Sequence, residues 1–316
     1  MKIISIATWH KRFESIDKFL NQFTPDFYNT YHVILNMSAD DYSIFPKNVY
    51  DIYKDKIEFN VTDINYGSIN KLLPMLKYKE HPIMIMDDDM YYNEEVINEI
   101  WESYEDDCIV GTWSVIVNSK QPKEIYYTTS SSLLFHHDDY VTPQYKKSAY
   151  KYNLINQKRK DILFLGAGTV LFPPNILKLD EIDYDKEFKF YTQSDDEFIF
   201  KRSLELNVYK KIAPVSKRIF LKALTSKGAL CIDFKGYYEK QKIIWSEIYK
   251  HCKDFENDNN LCFERLKFLK PTTSMRSEQQ HQPYNIYKSL CDYFGFEDIW
   301  KPILDQKNKK KNSSNK

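Results

Sequence analysis

The chain has 316 residues, 42% of them hydrophobic and 28% charged, with 45 basic groups against 45 acidic ones and no net charge. That length buries a sizeable core in one large domain or two small ones, and a neutral chain whose basic residues are mostly lysine argues against a groove for nucleic acid or another polyanion. Five scattered cysteines, none in a C-x-x-C pair, fit reduced thiols better than a disulfide framework or a zinc cage.

The first run, Ile3 to Trp9, reads as a strand, and His10, Lys11 and Arg12 arrive before a signal-peptide core could form, so the chain is expected to be cytoplasmic. His32 to Met37, Ile57 to Thr62 and Ile83 to Met86 also read as strands, alternating with helical patterns. This alternation predicts an α/β domain with a mostly parallel sheet. Gly67 is the sole glycine before Gly111, which excludes the glycine-rich phosphate loops of P-loop, dinucleotide-binding and kinase folds. Ile69, Leu72, Leu73 and Leu76 predict a helix, tolerant of Pro74 if it starts near Asn70. Asn93 predicts an N-cap for a helix that buries Val96, Ile97, Ile100 and Trp101.

Cys108 to Val117 reads as a further strand. The polar, Tyr-rich stretch from Lys120 to Lys160 is expected to be a long excursion beside a site, where Tyr126, Tyr127, Tyr140, Tyr145, Tyr150 and Tyr152 are candidates for stacking on a ligand. The apolar run Ile162 to Phe172, ended by Pro173 and Pro174, is too short to span a bilayer. A helix from Asp195 to about Leu206 and a strand from Val208 to Val215 follow. Beyond Ala223 the pattern is helical, clearest at Tyr237 to Cys252 and Tyr284 to Phe294. The expected organisation is therefore an α/β domain over 1–222, a helical region over 223–305 and a disordered lysine-rich tail over 306–316.

Two acidic clusters carry the chemistry. Asp87, Asp88 and Asp89 follow a strand directly, at the sheet edge where open α/β folds bind ligands. Alternation points Asp87 and Asp89 the same way, with Asp88 opposite, and two such carboxylates suit Mg²⁺ or Mn²⁺ bridging to diphosphate oxygens. A solvated acidic turn ahead of the next helix is the simpler alternative. In the second cluster, Ser194 to Glu197 has capping-box spacing, and acids in a first turn favour the helix dipole without further function. The same placement of Asp195 and Asp196 suits a general base, and the pattern alone leaves both open. His136 and His137, beside Asp138 and Asp139, point apart on an extended chain and lack a second ligand cluster. Asn36 and Asn60 begin glycosylation sequons that mean little without a secretory signal.

In order along residues 1 to 220, the chain reads strand, ATW turn, DINYGSINKLL (Asp63 to Leu73), IMIMDDDMYY, GAGTVLFPP and SDDEF. This series resembles bacterial glycosyltransferases of the GT-A fold. The resemblance implies a Rossmann-type sheet flanked by helices and a nucleotide-diphosphate-sugar donor. It implies Asp87 and Asp89 as a D-x-D pair holding Mn²⁺ or Mg²⁺, with Asp63, Lys71, Asp88, Gly166 and Gly168 on the donor. It further implies Asp196 as the base that deprotonates an acceptor hydroxyl, Asp195 orienting it, and an inverting reaction, with retention left open. Leu171-Phe172 stands where leucine-tyrosine is usual, and Asn65 replaces an aspartate two residues before Gly67. A third metal ligand is not evident, neither His251 nor His281 being compelling. The implied acceptor is a cell-surface glycan or glycolipid such as lipopolysaccharide, lipooligosaccharide or capsule. Its amphiphilic character leads to an expected peripheral membrane contact of the tail or C-terminal helices. A carbohydrate-binding protein without turnover, or another metal-dependent phosphoryl-transfer enzyme, is the alternative.

Overall fold

The computed structural model describes residues 1–112, 114–116, 156–160, 162–164, 169–183, 195–215 and 220–224. The chain forms two compact units, Met1–Ile116 with Tyr126–Tyr237, and Val117–Ile125 with Tyr238–Lys316. All described residues belong to the first. The long excursion with its tyrosines and histidines, the helices at Tyr237 to Cys252 and Tyr284 to Phe294, and the tail lie outside the described residues.

The first unit is built on a seven-stranded sheet in the order β10–β6–β9–β4–β1–β2–β3. Its strands are β1 (Ile3–Ala7), β2 (His32–Ser38), β3 (Glu58–Thr62), β4 (Ile83–Asp87), β6 (Cys108–Gly111), β9 (Val170–Phe172) and β10 (Tyr209–Ile212). Every neighbouring pair is parallel except those of β9, which runs antiparallel to β4 and β6. The chain leaves β1 outward through β2 and β3 and returns to pair β4 on the other side of β1. The carboxyl ends of β1 and β4 therefore flank a topological switch point, where such sheets open a ligand crevice.

Alternation decides what each face of the sheet meets. Ile4, Ile6, Val33, Leu35, Met37, Met84 and Met86 bury one face. Against it pack Ile16, Phe19 and Leu20 of α1 (Phe13–Leu20) and Val96, Ile97, Ile100 and Trp101 of α5 (Glu94–Glu102). Asn93 caps α5 by accepting a hydrogen bond from the Glu95 amide at 3.1 Å. Helices α2 (Pro25–Thr30), α3 (Ala39–Ser43) and α4 (Lys47–Tyr53) complete the crossovers between β1 and β3.

The opposite face presents Ile3, Ser5 and Ala7 from β1 and Ile83, Ile85 and Asp87 from β4, with Ala7 level with Asp87. It also carries a polar row that runs from the exposed Lys77 to the buried Ser5. Lys77 Nζ donates to Asn60 Oδ1 (2.8 Å), Asn60 Nδ2 to Asn36 Oδ1 (2.7 Å), Asn36 Nδ2 to Ser5 Oγ (2.8 Å) and Ser5 Oγ to the Lys71 carbonyl (2.5 Å).

The expected helix through Ile69 and Leu76 is instead two 3-10 turns, Gly67–Lys71 and Leu73–Tyr78. Pro74 accounts for this. It has no amide to donate to an α-helix and disfavours α geometry in the residue before it, so the first turn closes at Leu72 and the second starts at Leu73 with Pro74 in its first positions. The expected strand from Cys108 to Val117 also divides. β6 stays in the main sheet, whereas β7 (Ser114–Ile116) pairs antiparallel with β8 (Ile162–Phe164) in a separate ribbon. The apolar run Ile162 to Phe172 is likewise shared between β8 and β9. β5 (Met90–Tyr92) pairs with β11 (Phe220–Ala223), and α6 (Asp195–Glu205) leads to β10. Among the described residues no helix is long and apolar enough to cross a membrane.

Candidate active site

At the carboxyl end of β4, strand geometry ends with Asp87, and residues 88 and 89 turn back into β5. Asp87 keeps the face of Ile85 and meets Lys71, which the first 3-10 turn lays across that face. Lys71 Nζ is 2.5 Å from Asp87 Oδ1 and 2.8 Å from Asp195 Oδ2. One buried ammonium thus joins the two acidic clusters that the sequence separates. Burial disfavours its charge, but Asp195, Asp87 and Asp196 outweigh that and hold Lys71 well above its ordinary value.

Asp88 emerges on the other face, where the start of α1 lies. It accepts from Thr8 Oγ1 at 2.7 Å, and Arg12 Nη1 stands 3.8 Å from Asp88 Oδ1 and 2.8 Å from Asp89 Oδ2. The expected alternation therefore separates Asp87 from Asp88 but stops at the turn, and Asp88 and Asp89 share one guanidinium. Burial, then repulsion from Asp89 and Asp87, pushes Asp88 up to about 7 against the pull of Arg12 and Thr8. Asp87 is also raised, by burial and by Asp89 and Asp195, although Lys71 opposes this.

Asp195 and Asp196 open α6. Burial would raise Asp195, but Lys71 outweighs it and the carboxyl lies below its ordinary value. Asp196 moves the other way, raised well above the usual range by removal from water and by its neighbour Asp195. Two adjacent carboxyls thus differ in character, one held as a fixed anion and one inclined to keep a proton.

The structure brings together Lys71, Asp87, Asp88, Asp89, Asp195 and Asp196 from the sequence-based set. Asp63 is exposed after edge strand β3 and makes none of these contacts. Gly166, Gly168 and Ser194 lie outside the described residues. Thr169, which follows Gly168, is buried with a left-handed φ of 59°, a conformation a β-branched residue seldom adopts, and its hydroxyl has no hydrogen-bond partner. Sequence reasoning missed Thr8, Arg12 and the pair His10–Asp41. Their signal was an arginine, a scarce residue here, just past the strand that opens the switch point.

Carboxylates at a sheet edge, such as those of Asp87 and Asp89, are the kind of ligand a hard divalent ion takes. Among the described residues, Asp87 pairs through Oδ1 with Lys71 and Asp89 through Oδ2 with Arg12, and their side chains are 30% and 22% exposed at the sheet edge. Elsewhere, Glu105, Asp107 and Cys108 are the one group of three among the described residues whose ligand atoms all lie within metal reach of one another. Those acids are already neutralised: Lys158 bridges Glu105 and Asp107 at 2.7 Å each, and Lys211 pairs with Glu105. Burial pushes the Cys108 thiol up to about 11, which disfavours the thiolate a metal needs.

No protein-family model matches the chain, and no curated protein matches it. Among solved structures, it is similar to residues 1–349 of TarS from S. aureus at 15% identity and a TM-score of 0.42, covering 92% of this chain and 79% of that one. It is similar to the mannosyltransferase PcManGT from Pyrobaculum calidifontis, solved with GDP-Man and Mn²⁺, at 11% identity and a TM-score of 0.46, over 91% of this chain and 68% of that one. A 4-diphosphocytidyl-2C-methyl-D-erythritol synthase from Anaerococcus prevotii is similar at 16% identity and a TM-score of 0.42, over 71% and 90% of the two chains. Likeness at this level decides nothing about chemistry.

Proposed function

We propose that the chain is a metal-dependent glycosyltransferase that moves a sugar from a nucleotide-diphosphate sugar to a hydroxyl of a cell-surface glycan acceptor, with inversion. The observation that carries this is the meeting, at the switch point, of a half-open carboxylate pair with an Asp195–Asp196 pair of split character.

In this reading Asp87 and Asp89 hold Mn²⁺ or Mg²⁺, which when bound supplies Lewis-acid stabilisation to the leaving diphosphate. Asp196 in its ionised form takes the acceptor hydroxyl's proton as that oxygen bonds to the anomeric carbon and the bond to the diphosphate breaks, its raised proton affinity making it the stronger base of the pair. Asp195 stays ionised against Lys71 and orients the sugar or the base. Thr8, Trp9 and His10 extend from the carboxyl end of β1 on the donor side, and Asp63 stands apart from the reacting centre.

The test is donor hydrolysis by the purified protein across a panel of nucleotide sugars with Mn²⁺, Mg²⁺ or EDTA. One donor should be turned over only with metal. Asp89→Asn should abolish turnover through lost metal, whereas Asp196→Asn should slow it by about 10²- to 10⁴-fold while still binding donor. Donor binding without hydrolysis would favour a carbohydrate-binding protein, and neither binding nor hydrolysis would refute the transferase reading.

A further inference from the structure

We propose that Lys71 and Arg12 are resident counter-cations of Asp87 and Asp89, so that a divalent ion has to share its ligands with two fixed positive charges. This rests on the metal reading above and adds what sets the affinity. Lys71 cannot swing away to water. Its side chain is 6% exposed, its ammonium touches Asp87 and Asp195, and its backbone carbonyl is tied to β1 by Ser5 Oγ. The Arg12 side chain is 7% exposed and sits against Asp89.

Neither cation is held wholly by directed bonds. Arg12 Nε and Nη1 and Asp195 Oδ2 are buried without an aligned hydrogen bond, although Arg12 Nη1 and Asp195 Oδ2 each lie 2.8 Å from an opposite charge. Pairs held by charge can share a ligand more readily than pairs locked in hydrogen-bond geometry. A unit charge about 5 Å from a divalent ion weakens the ion's binding by about tenfold at a water-like dielectric of about 80, and by more where the site is drier.

The two views of the acids predict opposite signs. If Asp87 and Asp89 served metal alone, neutralising one in the metal-free chain would relieve repulsion and raise stability. If they are paired with resident cations, neutralising Asp89 takes away the nearer partner of the buried Arg12 guanidinium and leaves it only Asp88, 3.8 Å away.

Two measurements on the full chain decide it. Mn²⁺ binding, read from the electron paramagnetic resonance of the free ion, should be about tenfold tighter in Lys71→Met than in wild type, and near wild type in Lys71→Arg. In EDTA, Asp89→Asn should melt lower than wild type by about 3 °C or more. If Lys71→Met does not fold, Lys71→Met/Asp195→Asn removes the buried carboxylate along with its cation and carries the same comparison. Equal Mn²⁺ affinity, or a higher melting temperature of Asp89→Asn in EDTA, would overturn the inference and leave the transferase reading intact. Absence of Mn²⁺ binding in every folded chain would overturn both.

Discussion

His10 Nδ1 lies 2.8 Å from Asp41 Oδ1, with the imidazole half exposed and the carboxylate buried. Asp41 also accepts from the His10 amide at 3.0 Å and from Ser38 Oγ at 2.7 Å. The carboxylate thus ties β1 to β2 and fixes the ring with Nε2 outward. Asp41→Ala should cost about 1 to 3 kcal/mol, because it leaves those donors unpaired. His10→Ala should stay within about 0.5 kcal/mol in stability, yet weaken binding of the donor. Denaturant melts beside donor titrations separate the two effects.

Glu58 gives a pH dependence away from the reacting centre. Partial burial pushes its carboxyl up, but bonds from Lys77, Tyr78 and His32 outweigh this and hold it below its ordinary value of 4.5. A carboxyl depressed in the folded state adds stability that is full above the unfolded value and is lost as the pH falls through the folded one. Urea melts should therefore show wild type ahead of Glu58→Gln at about pH 6, with the gap closing towards about pH 3.

Gly111 ends β6 where the Phe164 ring covers it. A Cβ there would lie 2.7 Å from Phe164 Cδ1 and 2.8 Å from Cε1, closer than real contacts allow. Gly111→Ala should cost about 1 to 3 kcal/mol. Adding Phe164→Leu should recover part of that loss, visible as coupling in a double-mutant cycle.

The Asn93 side chain accepts from the Glu95 amide at the start of α5. Asn93→Ala should lower stability by about 1 kcal/mol, and donor hydrolysis should stay at the wild-type rate.

The parallel strands and the cap at Asn93 were legible because apolar runs of period two and a capping side chain are local signals. Asp87 and the carboxyl end of β4 followed from strand position. Lys71 was marked as a basic group near the donor, but its bridge between Asp87 and Asp195 depends on a 3-10 turn crossing the sheet, which no local period encodes. Pro74 reads as tolerable near a helix start, and its effect is to replace α geometry with 3-10 turns. Arg12 and Asp41 act across β1, β2 and β4, and pairing at that range leaves no trace in spacing.

The row from Lys77 through Asn60, Asn36 and Ser5 to the Lys71 carbonyl has a sense of direction. A lysine can only donate and a carbonyl can only accept, so both ends are fixed and every proton between them points toward Lys71. Asn36→Asp would reverse one member: Ser5 would lose its donor and turn its own proton to the new carboxylate, releasing the carbonyl that seats Lys71. Like cars on a one-way street, these groups accept no single reversal, and substitution along the row is tolerated only when neighbours change together.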